Sequence, residues 1–109
     1  MNYDVVATPN FAKELKKLSK KYPSLKLEFQ LLVEELKSSP QSGTSLGQNC
    51  YKIRLAIRSK GKGKSGGARV LSYVVINENT VYLLSIFDKS EKESLSKKEI
   101  SELLILLNK

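Results

Sequence analysis

The spacing of apolar residues along the chain changes period several times, and each change marks a new element. Residues Tyr3 to Ala7 read as a short strand. Thr8-Pro9 then offers an N-cap followed by proline at the first helical position. From there Phe11, Leu15, Leu18 and Tyr22 recur at helical spacing, with Lys13, Lys16, Lys17, Lys20 and Lys21 on other faces. Pro23 ends this helix and is able to open a second, which sets Leu25, Phe29, Leu32, Val33 and Leu36 on one stripe and stops before Pro40. Two amphipathic helices with a tight break predict a helical hairpin whose apolar stripe needs a sheet to pack on.

The second half supplies that sheet. Residues 41–49 are polar, contain glycine and read as a loop. Residues 50–58 alternate: Tyr51, Ile53, Leu55 and Ile57 fall on one parity, Lys52, Arg54, Ala56 and Arg58 on the other. Residues 68–77 are apolar on both parities, the pattern of a central strand buried on both faces. Asn77-Glu78-Asn79 is a turn, and residues 80–88 form a further strand. Two S-x-x-E capping boxes follow, Ser90 to Glu93 and Ser96 to Glu99, predicting a short helical turn and a final helix from about Lys97. That helix is apolar around most of its circumference and needs the core or a partner to cover it. The expected fold is α+β in the order β-α-α-β-β-β-α. An N-terminal strand and a two-helix hairpin pack on a mainly antiparallel sheet of about four strands, followed by a C-terminal helix. No repeat or linker divides the 109 residues, so a single domain spans 1–109.

Charge changes this picture from a fold to a surface. The net charge is +8, and no acid lies between Glu35 and Glu78, where Lys37, Lys52, Arg54, Arg58, Lys60, Lys62, Lys64 and Arg69 all fall. A basic block this segregated is the footprint of a polyanionic partner, beyond what a solvated basic face needs for solubility. The chain has no histidine and one cysteine, Cys50, which excludes an internal disulfide and leaves few ligands for a metal. No cofactor is expected. No apolar run is long enough to span a bilayer, and the first residues, MNYDVVATPNF, lack the regions of a signal peptide, so a cytoplasmic protein without a membrane partner is expected.

The most basic stretch is RSKGKGKSGGAR, Arg58 to Arg69. Gly63-Lys64-Ser65 has the tail of a phosphate-binding P-loop, but the leading glycine falls at Arg58, and a β-type run follows where a P-loop needs a helix. The segment reads instead as a hairpin connection whose glycines supply positive φ. Its lysines, Lys60, Lys62 and Lys64, with Arg58, are candidates for tracking a nucleic-acid backbone. The row Lys52, Arg54 and Arg58 is either an edge-strand charge row that deters aggregation or a rigid strand-borne cationic site. Arg69 opens the next strand, and Lys89 closes the last one beside Phe87, an aromatic suited to stacking on a base. Clustered like charges favour a lysine that gives up its proton, the property a lysine general base requires.

Cys50-Tyr51-Lys52-Ile53-Arg54-Leu55 resembles the C-Y-K-I-K-L strand of the RelE branch of the RelE/ParE superfamily of bacterial toxins. The segments from Gly63 to Val70 and from Phe87 to Lys92 are similar to a HigB-like branch, and the likeness in element order spans nearly the whole chain. The resemblance implies the toxin of a type II toxin–antitoxin pair, with the cognate antitoxin, the ribosome and mRNA as partners. It implies a ribosome-dependent, metal-independent endoribonuclease in which the ribose 2′-hydroxyl attacks the adjacent phosphate. By position, Lys52 and Arg54 match the family's paired basic strand residues. Lys52 or the nearby cluster then serves as general base, and Arg54 stabilises the developing phosphorane charge. Arg69 matches the catalytic arginine after the hairpin, and Lys89 falls where the family has another arginine. The family's catalytic tyrosine has no counterpart near Glu93-Ser94-Leu95-Ser96, so Tyr73 and Asp88 enter as candidates and the general acid is unassigned. Two other functions share the features: a ParE-like inhibitor of DNA gyrase, and a non-catalytic basic RNA-binding domain.

Overall fold

The computed structural model describes residues 2–61 and 66–107. Its elements run β1 (Asp4–Ala7), α1 (Pro9–Lys21), α2 (Leu25–Ser38), β2 (Thr44–Gly47), β3 (Cys50–Leu55), β4 (Ala68–Val75), β5 (Thr80–Asp88) and α3 (Lys97–Leu107). The strands form one five-stranded sheet in the order β1-β5-β4-β3-β2, with β1 parallel to β5 and every other pair antiparallel.

The α+β class and the helical hairpin agree with the sequence reading, and β4 takes the central place that its two-sided apolarity requires. The Thr8 hydroxyl accepts the Phe11 N–H at 3.3 Å and donates to the Leu83 carbonyl at 2.8 Å, capping α1 and tying it to β5. Because β1 ends at Ala7, the backbone of β5 beyond Leu83 lacks a strand partner on that side. Side chains of α1 take over: Asn10 Nδ2 donates to the Leu84 carbonyl at 2.9 Å, and Glu14 Oε1 accepts the Ile86 N–H at 3.1 Å.

Two apolar layers flank the sheet. On one face Phe11, Leu25, Leu32 and Leu36 from the hairpin meet Ile53, Ile57, Val70, Val74, Val81, Leu83 and Ile86. The Phe11 and Phe29 rings, 5.5 Å apart, join α1 to α2. On the other face α3 lays Ile100, Leu103, Leu104 and Leu107 on Cys50, Leu71 and Leu84. Leu84 is the extra residue of a bulge in β5, between the pairs Leu71–Ser85 and Ser72–Leu83. Covering that layer leaves Ile105 and Leu106 of α3 exposed. Among the described residues no helix is long and apolar enough to cross a membrane.

Three local readings are corrected. Residues 41–49 are not all loop: Thr44–Gly47 pairs with β3, turning through Gln48 and Asn49, which adopt φ of 54° and 65°. This edge strand is exposed on every residue and therefore carries no apolar alternation. Second, β3 ends at Leu55 rather than continuing to residue 58, because Glu28 Oε2 accepts the Arg58 N–H at 2.6 Å and a 3-10 turn, Arg58–Lys60, follows. Third, Ser90 and Glu93 do not cap a helix, since Ser90 donates to Asp88 Oδ1 instead. The second box forms as read: the Ser96 N–H donates to Glu99 at 2.8 Å, and Ser96 Oγ accepts the Glu99 N–H at 3.1 Å.

Candidate functional site

α3 reaches only part of its face of the sheet, and beyond Leu71 the same face turns cationic. Pairing of β3 with β4 sets Arg54 directly opposite Arg69 and Lys52 opposite Leu71. Pairing of β4 with β5 sets Phe87 opposite Arg69. Lys89, two residues on, donates its N–H to the Gly67 carbonyl at 3.0 Å. Lys52, Arg54, Arg69 and Lys89, separated by as many as 37 residues in sequence, thus share one face at the end of three adjacent strands. A Cβ at Gly67 would run into the Leu55 carbonyl and the Ala56 backbone. Here glycine serves close approach of β3 and β4, which the placement of Arg69 and Lys89 depends on.

Arg69 is 1% exposed, although it carries a permanent charge. Burial of a guanidinium is tolerable only with partners. Its Nη1 donates to the Ala68 carbonyl at 3.2 Å, and its Nε lies 3.5 Å from Glu93 Oε2. The same carboxylate reaches Lys52 Nζ at 3.6 Å and Lys89 Nζ at 3.8 Å. Partial desolvation opposes the charged form of Glu93. The Arg69 guanidinium, then Lys52 and Lys89, outweigh it and hold the carboxyl below its usual range. One carboxylate therefore sits where three cations converge, the position a phosphate oxygen takes in an anion site.

Glu93 was not among the residues singled out from the sequence. Its S-x-x-E spacing from Ser90 read as a cap, and the informative signal was its i,i+4 spacing from Lys89. The same contact sets a counter-charge beside Lys52.

Other candidates separate from the cluster. Lys60 is not an RNA-tracking loop cation: its ammonium donates to Asp88 Oδ1 at 2.6 Å, with the side chain 8% exposed, and lies 5.4 Å from the centre of the Tyr22 ring. Asp88 is fully buried against Lys60, Tyr22 and Ser90, on the helical-hairpin side of the sheet with its pair Ala68. Its burial opposes ionisation, yet Lys60, Ser90 and Tyr22 together hold its carboxyl far below the usual range. It is therefore a structural anion. Phe87 is buried with the Lys92 ammonium 5.4 Å from its ring centre, so its face is not offered to a base. Tyr73 lies four residues along β4 from Arg69, roughly 13 Å of strand. It packs with Tyr82 and the α3 layer instead. Arg58 is exposed but falls in the 3-10 turn, so the expected basic row ends at Arg54. It lines an open groove with Glu28, Glu35, Thr44 and Arg54. Lys62 and Lys64 lie outside the described residues. Burial pushes the Cys50 thiol up, consistent with a packing role under α3. Among the described residues no group of three or more His, Cys, Asp or Glu side chains is placed to hold a metal ion.

A family model described as the RelE toxin of the RelE/RelB toxin–antitoxin system matches residues 10–108. Among solved structures, the fold is similar to a double arginine-to-alanine mutant of E. coli toxin RelE in the free state. The TM-score is 0.64 at 20% identity, covering 95% of this chain and 96% of that one. It is also similar to a chain of the Mycobacterium tuberculosis toxin–antitoxin complex RelBE2, with a TM-score of 0.60 at 20% identity over 81% and 99% of the two chains. A third likeness is to the E. coli RelE mutant in complex with an antitoxin RelB peptide, with a TM-score of 0.58 at 24% identity over 94% of each chain.

Proposed function

Because this chain belongs to the RelE toxin family, we propose that it is the toxin of a type II pair and cleaves mRNA on the ribosome without a metal. The observation that carries the reading is the placement of Lys52, Arg54, Arg69 and Lys89 on one face of the sheet, with the Glu93 carboxylate against three of them.

A phosphodiester bound there meets a rigid set of donors. All four cations sit on or directly beyond hydrogen-bonded strands, and Arg69 is further fixed by burial. Transfer of the phosphate to the ribose 2′-hydroxyl passes through a phosphorane carrying more negative charge than the substrate. Preplaced guanidinium groups stabilise that charge more than they stabilise the ground state, which is the condition for catalysis. In this reading the phosphate displaces Glu93 from Arg69 and takes its guanidinium, and Arg54, across the strand pair, adds to the charge. Lys52 and Lys89 flank the pair. The products are a 2′,3′-cyclic phosphate and a free 5′-hydroxyl.

A cognate antitoxin is the protein partner, and an acidic segment of it neutralises the same face. The work of the toxin takes place in the cytoplasm, where translating ribosomes are. Induced expression tests the reading: the parent arrests growth, whereas Arg69→Ala grows normally, as does Arg69→Gln, which keeps most of the buried volume and melts closer to the parent. Full toxicity of Arg69→Ala removes the site assignment.

A further inference from the structure

We propose that Glu93 is a catalytic carboxylate of this site, the group that takes the proton from the attacking 2′-hydroxyl. This inference rests on the mRNA-cleaving function proposed above and supplies the proton acceptor missing from it. Three observations point to the residue.

First, its carboxylate oxygens lie 3.5 to 3.8 Å from Arg69 Nε, Lys52 Nζ and Lys89 Nζ, so it adjoins the place where the scissile phosphate binds. Second, it is reachable by a ligand. The side chain is 52% exposed and lies between Asp88 and α3, outside helix and strand, although one of its partners, Arg69, is buried. Third, the other candidates for taking the hydroxyl proton are engaged elsewhere: Asp88 in its buried ion pair and Tyr73 in the α3 layer, and histidine is absent from the sequence.

Binding of substrate arms the group. In the free protein Arg69, Lys52 and Lys89 face the Glu93 carboxylate and hold it ionised. A phosphodiester takes Arg69 and Lys52 for itself, frees the carboxylate to move a few ångströms within its exposed segment, and cancels the charge that suppressed its basicity. The carboxylate then accepts the 2′-hydroxyl proton as the O2′–P bond forms. The P–O5′ bond breaks, and the departing oxygen takes a proton from the Lys52 ammonium. Glu93 is left neutral and Lys52 uncharged; transfer of the proton from one to the other, 3.6 Å apart in the resting site, restores both.

The test compares parent, Glu93→Gln and Glu93→Asp in single-turnover cleavage of mRNA on purified translating ribosomes across pH. Binding of an uncleavable 2′-O-methyl oligonucleotide is measured alongside. Glu93→Gln is expected to slow cleavage by about 10²-fold or more and to lose the fall in rate at acid pH. Glu93→Asp keeps that acid limb with a partial rate. Glu93→Gln binds the uncleavable oligonucleotide as tightly as the parent or several-fold more tightly, since a competing anion is gone. A Glu93→Gln protein that cleaves at the parent's rate with the parent's pH profile overturns the role of Glu93 and leaves the mRNA-cleaving function standing. A parent that binds the oligonucleotide but cleaves nothing overturns the function itself, and the role with it.

Discussion

Arg54 and Arg69 face each other directly across β3 and β4, two guanidinium groups at a cross-strand pair position. Like charges at such positions destabilise a sheet. Arg54 is exposed and packs in no core layer, so under the proposed function the pair is a cost carried for binding an anion. Arg54→Ala should raise the unfolding free energy by about 0.5 kcal/mol. The same change should weaken RNA binding and slow cleavage. A chemical-denaturation curve paired with a binding titration checks both directions at once.

The Asp88–Lys60 pair is the opposite case, a charge pair held for structure. Asp88 has its carboxyl depressed in the folded state, so its contribution is fully present above the ordinary carboxylate range. That contribution fades as pH falls below this range toward the depressed folded value. Asp88→Asn leaves the Lys60 ammonium buried without its charge partner and should lower stability by about 3 kcal/mol at neutral pH. The gap between parent and variant should narrow in acid, which thermal melts from neutral pH downward would follow. An unchanged gap would mean that the pair is not coupled to folding.

Lys60 and Arg58 are two residues apart and should separate cleanly. Lys60→Ala is expected to lower the melting temperature while leaving the salt dependence of RNA binding intact. Arg58→Ala should do the reverse, lowering the log–log salt slope by about 0.7 to 1 with no change in melting. The pair of titrations distinguishes a buried structural lysine from an exposed phosphate contact.

Much of the molecule was legible because its apolar residues had somewhere to go. Tyr51, Ile53, Leu55 and Ile57 read as one face because all four pack toward the hairpin helices, and residues of β4 read as central because both of their faces are buried. β2 left no trace, since a strand with neither face buried carries no pattern. The parallel pairing of β1 with β5 joins residues 76 apart, beyond any local signal. Of the site, Lys52, Arg54, Arg69 and Lys89 were identifiable as cations of strand ends. The roles given to Lys60, Asp88 and Phe87 failed for one shared reason. Residue type and place in the chain carry no information on burial: Lys60 and Asp88 neutralise each other in the interior, and Phe87 lies under Lys92. Glu93 was hidden by a local motif that the three-dimensional site overrides.

Gly67 bears on how the cationic face is assembled. Any side chain there meets the Leu55 carbonyl, so Gly67→Ala must push β3 and β4 apart at the level of Arg54 and Arg69. A loss of about 2 kcal/mol is expected, in the range of overpacked interiors. The variant should also bind RNA less tightly, because Lys89 loses its bond to the residue 67 carbonyl. Denaturation and binding measured on the same preparation would show the two losses together.

The most direct measurement is the chemistry of mRNA ends after purified protein is added to translating ribosomes. Breaks bearing a 2′,3′-cyclic phosphate on one side and a 5′-hydroxyl on the other are expected, formed in the presence of a metal chelator that leaves the ribosomes intact. Arg69→Ala should form none, and Arg69→Lys, which keeps the charge but not the fork, should be slower by about 10²-fold. Intact mRNA with the parent, or equal breakage by Arg69→Ala, would contradict the proposed function.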